Sequence, residues 1–129
     1  MSRVLIVEDE KDIADILEEM LELFGYSVSA VSDGLDAWSQ ISASDYELIL
    51  TDLHLPGMDG MQLLTKMRVH DIKTPVLIIS GVELQGRVPA ISKFGPFDTI
   101  QKPFKMGDLK EKLAGLLRDY KQQPKHKPI

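Results

Sequence analysis

The 129 residues include no cysteine. That excludes disulfides, thiolate catalysis and zinc ribbons. No apolar run approaches the roughly 20 residues that cross a bilayer. At the N-terminus only Val4 to Val7 lie between Arg3 and the acidic pair Glu8-Asp9. This run is too short for the apolar region of a secretory signal, so a cytoplasmic location with no membrane contact is expected. Basic residues are also in deficit: 15 Lys and Arg face 20 Asp and Glu, giving a net charge of −5. Nucleic-acid binding runs on clustered cations, so the chain is not expected to bind nucleic acid directly. What is present, 43% hydrophobic and 27% charged residues, is ordinary for one globular domain with a single core.

Five short apolar runs alternate with amphipathic stretches. Val4-Leu5-Ile6-Val7 is continuous and rich in β-branched residues, as in a strand buried on both faces. Ile13, Ile16, Leu17, Met20, Leu21 and Phe24 then recur at helical spacing, with Gly25 placed as the residue just past the helix end. Tyr26 to Val31 reads as a second strand closed by Asp33-Gly34, and Leu35, Trp38 and Ile41 as a short helix. Tyr46 to Thr51 and Asp59 to Val69 give the third strand and helix. Pro75 to Ile79 is a fourth strand, ended by Ser80-Gly81. The following segment should hold a fourth helix, yet Gly86, Pro89, Gly95 and Pro96 predict a short or irregular one. Asp98 to Gln101 forms a brief fifth strand. Leu109, Leu113, Leu116 and Leu117 stripe a last helix ending near Tyr120. Residues 1–120 thus form one domain, and 121–129 a disordered basic tail or the start of a linker. Trp38 and the methionines Met20, Met58, Met61, Met67 and Met106 read as packing residues, and His70 as the exposed end of the third helix.

Strands alternating with helices imply right-handed crossovers and a parallel α/β sheet covered on both faces. In such sheets the chemistry gathers beyond the carboxyl ends of the strands. Those ends carry Glu8-Asp9, Asp52, Ser80 and Lys102-Pro103. Three carboxylates in one small site raise one another's pKa unless a cation compensates them. Magnesium suits such a set because it takes carboxylates, waters and phosphate oxygens together. Lys102 adds an ammonium and Ser80 a hydroxyl donor. These are parts for handling a phosphoryl group, with Asp52 the best nucleophile because it stands alone on the central strand.

VLIVEDE, LILTDLHLPGMDG, LIISG and IQKPF, in this order, resemble the four motifs of the response-regulator receiver domain of two-component signalling. The resemblance covers residues 3 to about 120, and 43 positions separate Asp9 from Asp52 and 50 separate Asp52 from Lys102. It implies a flavodoxin-like, doubly wound five-stranded parallel sheet in the order 2-1-3-4-5 with five helices. It further implies that Asp52 accepts a phosphoryl group from a phosphohistidine on a sensor histidine kinase or histidine phosphotransfer protein. Asp9 and Asp52 would ligate Mg²⁺ directly, Glu8 through water and His54 by its main-chain carbonyl. Ser80 and Lys102 would bind the phosphoryl group, and Lys102-Pro103 matches a bond that is cis in the family. The product would be a phosphorylation-dependent switch of partner binding, with catalysis limited to the chain's own phosphorylation and dephosphorylation.

The chain departs from the family pattern at one switch position. Receiver domains usually carry Tyr or Phe three residues before the lysine, where this chain has Thr99; Phe97 lies two positions earlier and keeps strand parity. Ordering or shifting of residues 81 to 97 is the expected alternative route for the signal. His54 either modulates dephosphorylation or is an exposed loop residue without a role. Two other functions remain: a pseudo-receiver that binds proteins without being phosphorylated, and a magnesium-dependent aspartyl phosphatase. The phosphatase usually needs a second aspartate where His54 stands. The downstream target is unspecified, and homodimerisation through the last two helices is left open. With no output segment after Tyr120, the chain is either a stand-alone receiver or part of a larger regulator.

Overall fold

In the computed structural model, residues 2–82, 84 and 95–122 are described. The elements are β1 (Arg3–Val7), α1 (Lys11–Leu23), β2 (Ser27–Val31), α2 (Gly34–Ala43), β3 (Leu48–Asp52), α3 (Gly60–Val69), β4 (Val76–Ser80), β5 (Phe97–Gln101) and α4 (Met106–Gln122). The five strands form one parallel sheet in the order β2-β1-β3-β4-β5, as expected. The irregular helix expected between β4 and β5 lies outside the described residues.

The strand period of two divides the sheet's side chains between two layers. Val4, Ile6, Leu48, Leu50, Leu77 and Ile79 face α1 and α4, where Leu17, Leu21, Leu109 and Leu113 meet them. Leu5, Val7, Ile49, Val76 and Ile78 face α2 and α3, and pack on Ala37, Ile41, Leu63, Leu64 and Met67. Burying each such side chain stabilises the fold by about 1.5–3 kcal/mol, so the three central strands carry most of the core. β2 and β5 are the sheet edges, and their sequences, SVSAV and FDTIQ, are correspondingly more polar and half-exposed.

The helix ends follow from local chemistry. α1 closes with the Tyr26 N–H donating to the Leu21 carbonyl and the Gly25 N–H to Glu22, with Gly25 at φ +94°. This is the Schellman arrangement, and it fulfils the expectation for Gly25. α3 begins with a capping box: Asp59 accepts from the Gln62 N–H while the Gln62 side chain accepts from the Asp59 N–H. It ends in a second Schellman arrangement, from Asp71 to Arg68 and Ile72 to Met67, with Asp71 at φ +59°.

Two local expectations are corrected. Asp33-Gly34 does not close β2; Asp33 caps α2, accepting from the Asp36 N–H at 2.7 Å, and Gly34 is the first helical residue. Met106, expected to pack, is half-exposed. Trp38 is partly buried between α2 and α3, with the His70 ring 4.9 Å away and the Lys66 ammonium over its face.

Candidate functional site

β1 and β3 run side by side in parallel register, Val7 opposite Thr51, so both release their next residues at the same edge of the sheet. This brings one oxygen each of Glu8, Asp9 and Asp52 within 4.8 Å of one another. β4 delivers Ser80 to the same edge, and β5 continues into Lys102, whose N–H donates to the Ser80 carbonyl at 2.8 Å. The Lys102 ammonium lies 3.5 Å from Asp52 Oδ2. Asp52 is only 13% exposed at its side chain and Lys102 38%, so this contact is shielded more than a surface ion pair is. Lys102-Pro103 is cis.

Glu8 is the least comfortable member. It is 3% exposed, and Oε2 accepts the Glu10 N–H at 3.2 Å. Oε1 is buried without a hydrogen-bond partner among the described residues. Burial pushes the Glu8 carboxyl up to about 7, aided by the charge of Asp52 and the adjacent Asp9 side chain; the Glu10 N–H and the charge of Lys102 oppose the rise. A buried, unsatisfied carboxylate oxygen beside two other carboxylates is what a bound divalent cation would relieve. The donor set is all oxygen, which fits Mg²⁺.

Around this centre, the buried Ser80 hydroxyl accepts the Val82 N–H at 3.1 Å. The loop from Leu53 to Asp59 leaves Asp52 and carries His54, whose side chain is exposed. Its first residue is anchored on both sides, with Leu53 N–H donating to Ile79 and its carbonyl accepting from the Gly60 N–H. Thr99 lies opposite Ile78, two residues before Ser80. Phe97 packs into the α2–α3 layer opposite Val76. Four residues of strand, about 13 Å, separate it from Gln101, which faces Ser80.

Sequence reasoning missed two kinds of residue. Arg68 is 4% exposed at the opposite end of the sheet, donating to the carbonyls of Ile72, Thr74 and Pro96. Gly34 and Gly60 are tight approaches: a Cβ on Gly60 would lie 2.6 Å from the Asp52 carbonyl oxygen, and one on Gly34 1.9 Å from that of Met58. Their shared signal is a repeated Asp-Gly step, Asp33-Gly34 and Asp59-Gly60, each at a helix start.

The sequence model described as the response regulator receiver domain matches residues 4–114. This chain belongs to that family. As a receiver domain it is 34% identical over 116 residues to the uncharacterized transcriptional regulatory protein YkoG of Bacillus subtilis (strain 168), covering 89% of this chain and 50% of that one. Among solved structures, the receiver domain of the Francisella response regulator 1452 superposes with a TM-score of 0.83 at 29% identity, covering 92% of this chain and 98% of that one. The receiver domain of the sensor histidine kinase PA1611 from Pseudomonas aeruginosa PAO1, with a magnesium ion coordinated in its active-site cleft, matches with a TM-score of 0.78 at 29% identity, covering 91% and 98%. The chain spans about half the length of the curated relatives it matches. No helix among the described residues is long and apolar enough to cross a membrane.

Proposed function

We propose that this receiver domain is a phosphorylatable switch with Asp52 as the acceptor. The observation that carries the reading is the convergence of three carboxylates with Lys102, which reaches Asp52 at 3.5 Å. An Asp52 carboxylate oxygen attacks the phosphorus of a phosphohistidine. The P–N bond breaks as the acyl-phosphate P–O bond forms, and the imidazole leaves with the electron pair. Lys102 and Ser80 hold the transferred phosphoryl oxygens. Asp9 and Asp52, Glu8 through water and the His54 main-chain carbonyl would hold Mg²⁺. When bound, the ion neutralises the carboxylates and draws charge from the phosphoryl oxygens. Activity in the chain is confined to its own phosphorylation and dephosphorylation.

The donor class is a sensor histidine kinase or histidine phosphotransfer protein, met in the cytoplasm, and the readout is altered binding of a protein target. The His54 side chain, two residues from the acceptor and exposed, sets how fast the phosphoryl group is lost. Equal phosphoryl half-lives in wild type and His54→Ala would remove that role. Because Thr99 stands where the family usually has an aromatic ring, Ser80 passes the signal to the segment that follows it, much of which lies outside the described residues. Unchanged amide exchange across residues 81–97 on binding a phosphoryl analogue would overturn that route.

The deciding experiment is intact-mass measurement after incubation with a small phosphodonor and Mg²⁺. A single phosphoryl adduct in wild type and none in Asp52→Asn is expected. Absence of an adduct in wild type, even with a phosphohistidine protein as donor, would point to the pseudo-receiver alternative.

A further inference from the structure

The loop from Leu53 to Asp59 is gripped by two helix starts that share no secondary-structure element with the acidic cluster. At one end Gly60 opens α3 against the Asp52 and Leu53 main chain. On the outside, Gly34 opens α2 against Met58. An added Cβ would lie 1.9 Å from the Met58 carbonyl oxygen, 2.6 Å from its Cβ and 2.7 Å from its carbonyl carbon. Real Cβ atoms do not come that close, and two of the three obstructing atoms are main chain, so no rotamer change relieves the clash. The Gly34 N–H also points to the Pro56 carbonyl at 3.4 Å, and the Met58 N–H closes the turn on Pro56 at 3.0 Å. Gly57, between them at φ +79°, faces the flexible end of Leu35. Asp33 fixes the start of α2 by capping it, so the seat offered to the loop is rigid.

We propose that Gly34 is a positioning residue for the phosphorylation site. By admitting the Pro56–Met58 turn directly onto the α2 backbone, it sets where the loop carrying the His54 carbonyl lies relative to Asp52. The inference rests on the phosphoacceptor reading and assigns the placement of the third oxygen donor to a residue of α2, outside the metal-binding set. Any side chain at position 34 lifts the turn off α2. The carboxylates of β1 and β3 stay in place while the loop oxygen moves away from them.

The test compares Gly34→Ala with Gly25→Ala in the full chain. Gly25 has positive φ and, among the described residues, no atom within 4 Å of an added Cβ, so its substitution strains the backbone at the far end of α1 without touching the loop. Mg²⁺ binding is read by calorimetry, amide exchange at Leu53–Met58 in the metal-free protein, and phosphoryl incorporation at limiting and saturating Mg²⁺. Gly34→Ala is expected to weaken Mg²⁺ binding by about tenfold or more, the scale of lost supporting contacts around a metal. Its loop exchange should quicken, and its phosphorylation should be restored largely by excess Mg²⁺. Gly25→Ala should lose stability and keep wild-type Mg²⁺ affinity. Wild-type affinity in folded Gly34→Ala, or an equal loss in Gly25→Ala, overturns the proposal. Should Gly34→Ala not fold, Gly57→Ala decides. It strains the same turn through its positive φ, and unchanged Mg²⁺ affinity there overturns the proposal. Absence of a phosphoryl adduct in wild type counts against the phosphoacceptor reading; the Mg²⁺ affinities still test the placement of the loop.

Discussion

Two charged side chains are buried to nearly the same degree at opposite ends of the sheet, and they behave as opposites. Glu8, 3% exposed at the carboxyl end, has an oxygen without a partner among the described residues and a carboxyl pushed up to about 7. Arg68, 4% exposed at the amino end, spends its guanidinium on three main-chain carbonyls that tie the turn after α3 to the entry of β5. Its pKa is drawn down by burial to about 10, so it stays charged at neutral pH. Burial alone therefore does not mark a functional group. The unsatisfied atom does, because an unpaired buried polar group is costly unless a ligand completes it. One end of the sheet is finished and holds the fold, while the other is left open for an ion and a phosphoryl group.

The sharpest way to break this contrast is at the finished end. Arg68→Met should lower unfolding free energy by about 2–4 kcal/mol in denaturant titration, because three carbonyls lose their donor. Mg²⁺ affinity should be unchanged. A loss of Mg²⁺ affinity would mean that the two ends are coupled. At the open end the signs reverse. Glu8→Gln should stabilise the metal-free protein at pH 8 by up to about 3 kcal/mol while weakening Mg²⁺ binding at least tenfold. If the substitution destabilises the metal-free protein, Glu8 is not the strained group.

The same strain sets a pH dependence. Glu8 ionises near 4.5 in the unfolded chain and near 7 in the fold, so between those values the folded state holds more protons. Its contribution is fully present below pH 4.5 and is lost as pH rises through about 7, a fall of up to about 3 kcal/mol in the metal-free protein. Mg²⁺ should offset this fall, and Glu8→Gln should abolish it. Arg68, titrating near 10, contributes nothing to this window. The smallest effect belongs to the finished end. Asp71 holds a left-handed backbone at φ +59°, and Asp71→Gly should stabilise by about 0.5 kcal/mol in thermal unfolding. Its 4.0 Å contact with the half-exposed Lys73 is too weak to reverse that sign.

These contrasts also explain what the sequence could reveal. Val4 to Val7 and Leu48 to Leu50 announced central strands because burial on both faces demands continuous apolar runs. The strand ends named Glu8, Asp9, Asp52, Ser80 and Lys102 because a parallel sheet must release them along one edge, and the structure brings the three carboxylates and Lys102 together. Arg68 was illegible because its partners are backbone carbonyls, which every residue possesses. Gly34 hides its role because an Asp-Gly step signals a turn locally, whereas here it allows a close approach between α2 and a loop 24 positions away.

The strand order carries a consequence for how the chain comes into being. Synthesis proceeds from the N-terminus, so Glu8, Asp9 and Asp52 all leave the ribosome before Lys102, the ammonium drawn up beside Asp52. β5 is also an edge strand, with β4 as its one partner among the described residues. The carboxylates are thus synthesised as an all-acidic set, and the ammonium that lies beside Asp52 arrives with the last strand of the sheet.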